Sequence, residues 1–267
     1  MIEEEIKGVG VTGSGREFVS MLIGGDVVES EVISHYLATI KLFPDVKTIF
    51  DIGGEDCKLM TIHNKQVAFH MNFDCGGGTG AMIESIATRM GVPIEEIGDL
   101  ALKSKTKVSI ASKCGIFAQS AVVSKLNKGV PKEDILMGVC RGLIGNFISM
   151  LAKGIELKPP FVFQGATAKN KALVKCFEEE LESKVLVSDI PEYMGALGVA
   201  LRCKKILKDK TKFKGFDISD SNFETKTHNC DGCPNQCEVT SIYENNTFIG
   251  CIGNRCEKGI KNNSKED

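Results

Sequence analysis

Three short stretches of alternating apolar and polar residues, followed by helices, constrain the fold of this chain most strongly. Residues 46–52, 58–62 and 66–71 alternate in the way of β-strands. The pairs Gly53-Gly54 and Asn64-Lys65 separate them and suit tight hairpin turns. Later, apolar stretches at 161–164 and 184–187 predict two more strands set between helices. Antiparallel strands followed by alternating helices and strands predict an α/β fold with a mixed sheet.

Helical periodicity fills most of the remaining chain up to residue 207. The predicted helices cover 79–91, 94–103, 116–128, 132–153, 168–182 and 191–207. Residues 208–228 are rich in Lys, Asp and Ser with weak periodicity, so we expect a linker there. The tail, 229–267, is predicted to be a separate small module.

Composition excludes several classes of function. The chain has 267 residues, 42% of them hydrophobic, which is enough for a real core. Its net charge of −2 gives no reason to expect nucleic-acid or membrane binding. We find no apolar run long enough to span a bilayer, and the acidic N-terminus is unlike a signal peptide. We therefore expect a cytoplasmic protein, in which eleven cysteines favour metal or redox chemistry over disulfides.

Two cysteines, Cys75 and Cys114, each precede a predicted helix. A thiolate or an anionic cluster at a helix N-terminus is stabilised by the free N–H groups and the macrodipole. Two thiols are too few for a [4Fe–4S] cluster, which needs four, but a two-fold dimer would supply the other two. The alternative is a pair of unrelated buried thiols, which is what free cysteines usually are.

The most specific local metal signal lies in the tail. Cysteines spaced as Cys-x₂-Cys-x₃-Cys are followed by two more, and four of the five would complete a tetrahedral thiolate site for zinc or iron–sulfur. The four predicted ligands are Cys230, Cys233, Cys237 and Cys256. His228 could substitute as a ligand, although a solvated histidine is the simpler interpretation.

Three glycine-containing turns are candidate phosphate or nucleotide contacts, because glycine lets a backbone approach a phosphate closely. Asp51 to Asp56, with Gly53 and Gly54, could hold a phosphate and Mg²⁺, or be an ordinary hairpin turn. Gly165 and Ala166 lie at a strand–turn–helix junction that could cradle adenosine or simply connect two elements. Thr12, Gly13 and Gly15 precede a predicted helix and could contact phosphate or cap that helix.

Together these motifs resemble the ATPase family that activates 2-hydroxyacyl-CoA dehydratases and includes the nucleotide-binding subunits of benzoyl-CoA reductase. The resemblance runs from about Gly10 to Lys205. Its marks are Thr12 to Arg16, Asp51 to Asp56, Cys75 before Gly76 to Gly80, Ser112 to Cys114 with Phe117 to Ser120, Gly165 with Asn170, and Tyr193 to Gly198. The tail is similar to the Cys-rich module that follows the ATPase in larger members.

The resemblance implies an actin-like, ribonuclease-H-like ATPase fold and a homodimer. One [4Fe–4S] cluster would lie between the subunits, held by Cys75 and Cys114 of each. ATP with Mg²⁺ would drive a low-potential electron to a partner 2-hydroxyacyl-CoA dehydratase or related CoA-ester reductase. It implies catalytic roles for Asp51, Glu55 and Gln119. It implies nucleotide contacts from Thr12, Gly13, Gly15, Gly53, Gly54, Gly165, Ala166 and Asn170.

The chain also departs from the family pattern. The family's Asp-x-Gly-Ser-Thr phosphate loop is not found in it, so we expect residues 1–45 to be a remnant of the first lobe and 46–207 the second lobe. Glu55 stands where the family usually has Gln, and Gln119 and Ala121 where it often has Glu. The alternative function is therefore an iron–sulfur module without ATP turnover. A sugar-kinase-like phosphotransferase ranks last, because the paired cysteines have no role in one.

Overall fold

The computed structural model describes residues 5–63, 66–72, 78–110 and 114–257, and their fold is α/β. The strands are β1 (Gly10–Val11), β2 (Val27–Val28), β3 (Thr48–Ile52), β4 (Cys57–His63), β5 (Gln66–Asn72), β6 (Phe161–Gln164), β7 (Val185–Leu186), β8 (Phe223–Asn229), β9 (Glu238–Glu244) and β10 (Thr247–Ile252). The helices are α1 (Arg16–Ile23), α2 (Glu31–Leu42), α3 (Gly80–Met90), α4 (Ile97–Ala101), α5 (Gly115–Asn127), α6 (Lys132–Leu151), α7 (Lys171–Leu181) and α8 (Met194–Ile206).

The chain forms two compact units. One consists of residues 39–194, and the other combines the described residues before 39 with those from 195 onward. The first of these contains a five-stranded sheet in the order β5-β4-β3-β6-β7. β3, β4 and β5 pair antiparallel, whereas β3, β6 and β7 pair parallel. The mixed sheet predicted from the strand order is confirmed.

An aromatic cluster fills the core between this sheet and its helices. Phe50 of β3 stacks on Phe177 of α7 with ring centroids 4.6 Å apart. Phe147 of α6 meets both rings edge-on, and Phe163 of β6 meets Phe177 in the same way. Because Phe50 and Phe163 are register partners on parallel strands, one face of the sheet presents a continuous aromatic surface to α6 and α7.

The second unit holds two small sheets. β1 and β2 pair parallel, and β8 to β10 form an antiparallel sheet in the order β10-β9-β8. The three-stranded sheet packs on α1, where Met21 fills the space that a Cβ on Gly250 would need. α2 and α8 cross closely, because Gly198 leaves room for the backbone carbonyl of Ser34.

Two expectations from the sequence need correction. Strand β8 begins at Phe223, so the linker predicted over 208–228 is shorter on its C-terminal side. The threonines of this segment suit a strand, and the hydroxyls of Thr227 and Thr240 lie 2.9 Å apart across β8 and β9. Helix α6 does have the length and apolar composition of a membrane span, contrary to the expectation that no segment has. Most of α6 is buried inside the protein, which is the usual character of a core helix.

Replacing Phe177 with Ala should destabilise the unit of residues 39–194 by about 3–5 kcal/mol, because it removes the ring at the centre of the cluster. Denaturant unfolding followed by circular dichroism would measure the loss. The matched control is Phe69→Ala, because the Phe69 side chain on edge strand β5 is 53% exposed. This replacement should lower the free energy of unfolding by about 0.5 kcal/mol. Equal losses for the two variants would contradict the aromatic cluster as the core.

Candidate functional site

The turn between β3 and β4 has a defined backbone geometry. The N–H of Gly53 donates to the carbonyl of Asp56 at 2.9 Å, closing the turn, while Gly54 and Glu55 are exposed at its tip. Asp56 Oδ1 receives the ammonium of Lys58 at 2.8 Å. The turn is thus held both by its backbone and by an ion pair from the first residues of β4.

A buried polar row lies just below this turn. Asp51 of β3 is the register partner of Lys58 on β4 and of Gln164 on β6, so the three side chains share one face of the sheet. Each of the three residues is no more than 2% exposed. An ammonium this deeply buried needs anionic partners, which Asp56 at 2.8 Å and the neighbouring Asp51 can provide. The sequence analysis missed Lys58, although a lysine inside an otherwise apolar strand was a visible signal.

The Gly165 turn approaches the end of β3 closely. Gly165 has φ +88°, and a Cβ on it would overlap the carbonyl of Ile52 and lie 2.9 Å from Asp51 Oδ1. Thr167 donates its hydroxyl to the same Ile52 carbonyl at 2.6 Å. The N–H of Gly165 donates to the carbonyl of Pro191 at 3.1 Å, which fixes the other side of the turn. The ends of β3 and β6 are therefore locked together, at the carboxyl edge where α/β sheets bind ligands.

Asn170, a predicted nucleotide contact, performs a structural task here. Its Oδ1 accepts the N–H groups of Ala172 and Leu173 and so caps α7. Ala166 is exposed at the start of the 3-10 turn between Gly165 and Asn170.

The carbonyls of the Gly53-Gly54 turn cap helix α3. The N–H of Gly80 donates to Gly53 at 2.9 Å and that of Ala81 to Gly54 at 2.7 Å. Thr79, the residue at the cap position, provides no side-chain cap. A Cβ on Gly80 would lie 3.1 Å from Cγ2 of Thr167, so helix and both turns meet in a narrow space. Main-chain bonds therefore join the phosphate-turn candidate to the helix that follows the Cys75 segment.

The predicted turn of Thr12, Gly13 and Gly15 lies in the other unit, at the start of α1. Gly13 has φ +98° and its carbonyl accepts the N–H of Arg16 at 3.3 Å. Thr12 accepts a hydrogen bond from Ser34 of α2 at 3.1 Å. Gly15 occupies the cap position, and among the described residues no side chain caps α1. The backbone, rather than a side-chain cap, starts this helix.

Cys114 stands at the N-cap of α5 with an extended backbone, φ −131° and ψ 127°. It is half-buried, and the next residues, Ile116 and Phe117, are 74% and 69% exposed. Gln119, one turn further on, donates its amide to Ser85 of α3 at 2.6 Å. Cys75 lies outside the described residues. The prediction that a cysteine precedes a helix is confirmed for Cys114.

The other described cysteines of this unit, Cys57, Cys140 and Cys176, are buried thiols. Burial raises the pKa of Cys57 to about 11 and that of Cys176 to about 12, and it also raises the pKa of Cys140. Such thiols stay protonated at neutral pH, and a metal ligand must be a thiolate.

The tail cysteines lie near one end of the three-stranded sheet. The N–H of Cys230 donates to the carbonyl of Cys237 at 2.8 Å, which makes them cross-strand neighbours, and Gly232 donates its N–H to the Cys230 sulfur at 3.4 Å. Cys233 lies between them and Cys256 is exposed beyond β10. Burial raises the pKa of Cys251, which lies inside β10. Within the part of the chain that the structure describes, no three metal-ligating side chains are gathered as a metal group.

Comparison with known proteins decides the family. Residues 1–202 match the BadF/BadG/BcrA/BcrD ATPase family. The chain belongs to this family. It is 34% identical over 214 residues to the 2-hydroxyisocaproyl-CoA dehydratase activator of Clostridioides difficile. The aligned region covers 79% of each of the two chains. It is 33% identical over 206 residues to the (R)-2-hydroxyglutaryl-CoA dehydratase activating ATPase of Acidaminococcus fermentans, covering 77% of this chain and 78% of that protein.

Solved structures of such activators match as well. The Acidaminococcus fermentans dehydratase component A superposes with a TM-score of 0.72 at 33% identity, over 77% of this chain and 78% of that one. The activator of the Clostridium difficile 2-hydroxyisocaproyl-CoA dehydratase with bound ADPNP gives the same TM-score at 33% identity, over 79% and 81%. The expected actin-like ATPase fold is confirmed.

Gly165→Ala should destabilise the protein by at least about 1–3 kcal/mol from backbone strain alone, since a positive φ and the Ile52 carbonyl both exclude a Cβ. The matched control is Gly145→Ala in helix α6, where a Cβ meets nothing within 4 Å. That change should stabilise the helix by about 0.5–1 kcal/mol. Thermal unfolding of both variants tests the close approach, which would be refuted by a Gly165→Ala protein as stable as wild type.

Proposed function

We propose that this chain is a cytoplasmic ATP-dependent activator that donates low-potential electrons to a 2-hydroxyacyl-CoA dehydratase or a related CoA-ester reductase. The relatives named above support this role, since they are activators of such dehydratases. The observation that carries the proposal is the capping of α3 by the Gly53-Gly54 turn, with bonds of 2.9 and 2.7 Å. A nucleotide phosphate at this turn would act directly on the helix that follows Cys75.

We assign nucleotide binding to the glycine turns and their surroundings. In this assignment the turns that contain Gly53, Gly54, Gly165 and Ala166 contact phosphate or adenosine through main-chain groups other than the Gly53 and Gly165 N–H, which donate to Asp56 and Pro191. We make a separate assignment of phosphate binding to the turn of Thr12, Gly13 and Gly15. Asp51 would hold Mg²⁺ or orient the attacking water, with Glu55 assisting at the exposed tip. Buried Lys58, bonded to Asp56 at 2.8 Å, places a positive charge beside the carboxylates of this turn.

We further propose a homodimer in which Cys75 and Cys114 of both copies hold one [4Fe–4S] cluster. Cys114 fits such a group, because its half-buried sulfur stands at a helix start whose N–H groups favour negative charge. The cluster would supply one-electron transfer at low potential. The exposed Ile116 and Phe117 beside Cys114 would be covered when a second copy brings its own cysteines.

The tail, which we keep as a separate module of residues 229–267, is proposed to bind a second metal, zinc or iron–sulfur. The cross-strand bond between Cys230 and Cys237 and the N–H donated to the Cys230 sulfur support thiolate ligation there. Cys233 and Cys256 would complete the set. Gly253 has no Cβ, so the chain can pass against the backbone of Glu238. This close approach brings the segment that contains Cys256 towards Cys237.

Asp51→Asn keeps the size of the side chain and should lower ATP turnover by about 10²–10⁴-fold, the range expected for a positioned acid or base group. Anaerobic ATPase assays, with nucleotide affinity measured by calorimetry, test this. A wild-type chain that binds nucleotide without hydrolysing it would favour the alternative, an iron–sulfur module without turnover. A wild-type chain that does not bind nucleotide would refute the activator proposal.

Metal analysis of anaerobically purified variants separates the two proposed sites. Cys114→Ala should remove about four irons per dimer and leave the tail metal in place. Cys233→Ala should do the reverse. Cys251→Ala is the matched control in the tail, because burial raises the pKa of its thiol and it is outside the proposed set. Iron that is indifferent to Cys114, or a tail metal that is indifferent to Cys233, would contradict the corresponding site.

A further inference from the structure

The contact between α3 and α5 contains a polar bond that the proposed function does not use. Gln119 Nε2 donates to Ser85 Oγ at 2.6 Å, joining the middle of α3 to the first turns of α5. The resemblance to the family assigned Gln119 a catalytic role. In the structure its amide is instead directed at another helix.

Apolar side chains of both helices also contribute to the core. Met82 and Ile86 of α3 and Ala118 and Val122 of α5 are all buried in the same core. Apolar packing is non-directional, so it resists separation of two helices better than rotation of one against the other. A short hydrogen bond is directional and fixes their rotational register. The Gln119–Ser85 bond is thus a directional element of the contact that can transmit a rotation.

Both helices lead back to the proposed sites. α3 begins at the carbonyls of Gly53 and Gly54, and α5 begins immediately after Cys114. Any displacement of the glycine turn must move the first turn of α3, because those carbonyls are its cap. Whether α5 follows depends on what couples the two helices.

We propose that Gln119 and Ser85 form a latch that makes α3 and α5 move together when the nucleotide at the glycine turn changes. Gln119 is then a positioning residue that acts on Cys114 through its helix. The inference rests on the proposed function, because it requires nucleotide at that turn. It assigns to one side-chain pair the coupling between nucleotide state and the second cysteine-bearing helix.

Hydrogen exchange followed by mass spectrometry tests the latch in the full chain, purified anaerobically, with ADP or ADPNP. In wild type, ADPNP should change exchange in both Gly80–Met90 and Gly115–Asn127 relative to ADP. Ser85→Ala should keep the response of α3 and reduce that of α5 by about fivefold, as expected for loss of one neutral hydrogen bond. Nucleotide affinity should not change.

Three further variants sharpen the test. Gln119→Leu should reduce the α5 response as Ser85→Ala does. Gln119→Glu should retain the α5 response, because the Ser85 hydroxyl can donate to a carboxylate. Ser120→Ala is the matched control, since its hydroxyl donates within its own helix, to the Ile116 carbonyl at 3.1 Å. A merely structural bond would lower stability in Ser85→Ala without altering the ratio of the two responses.

The outcomes are distinguishable. An α5 response that is undiminished in Ser85→Ala, or absent from wild type with nucleotide bound, would overturn the latch and leave the activator proposal standing. A chain that does not bind ADP or ADPNP would overturn the proposed function and the latch with it.

Discussion

The contact between the ends of β3 and β6 is the constraint on which the candidate site depends. Gly165 lies where any side chain would overlap the carbonyl of Ile52, and Thr167 donates to that carbonyl at 2.6 Å. The two turns that follow these strands are consequently held within reach of each other. Gly80 enters the same space, where a Cβ would lie 3.0 Å from the Gly53 carbonyl and 3.1 Å from Cγ2 of Thr167. Glycine at these positions therefore reflects packing as well as any contact with phosphate.

Features of the fold that depend on neighbouring residues could be predicted from the sequence, whereas contacts between distant segments could not. Alternation placed β3, β4 and β5 to within two residues, and the strand at 161–164 was predicted with its observed bounds. These patterns are local. The capping of α3 by Gly53 and Gly54 joins two backbone segments, so side-chain identity carried no sign of it. The tail sheet was missed because its first strand follows, without a break in composition, a polar stretch typical of a linker.

The site residues likewise divide into a part that the sequence predicted and a part that it did not. Residue types in a motif indicated Asp51, Gly165 and Asn170, but not the partners of their side chains. Asn170 caps α7 through Oδ1 at 3.0 and 3.3 Å, a task that asparagine performs in many helices without any ligand. A position can therefore match a family motif and still be explained locally. Buried polar groups cost free energy unless they are paired, and in the row of Asp51, Lys58 and Gln164 the Lys58 ammonium donates to Asp56 at 2.8 Å. Gln164 accepts the Thr39 hydroxyl at 2.6 Å.

Burial divides the cysteines more sharply than spacing does. Cys57 and Cys176 lie in the core, where desolvation raises each pKa well above neutrality and keeps the thiol protonated. Cys114 lies at the start of helix α5, half-buried and beside two exposed apolar residues. Exposed isoleucine and phenylalanine beside a potential thiolate would be a liability on an isolated surface. A second copy that covers Ile116 and Phe117 is part of the homodimer proposed above.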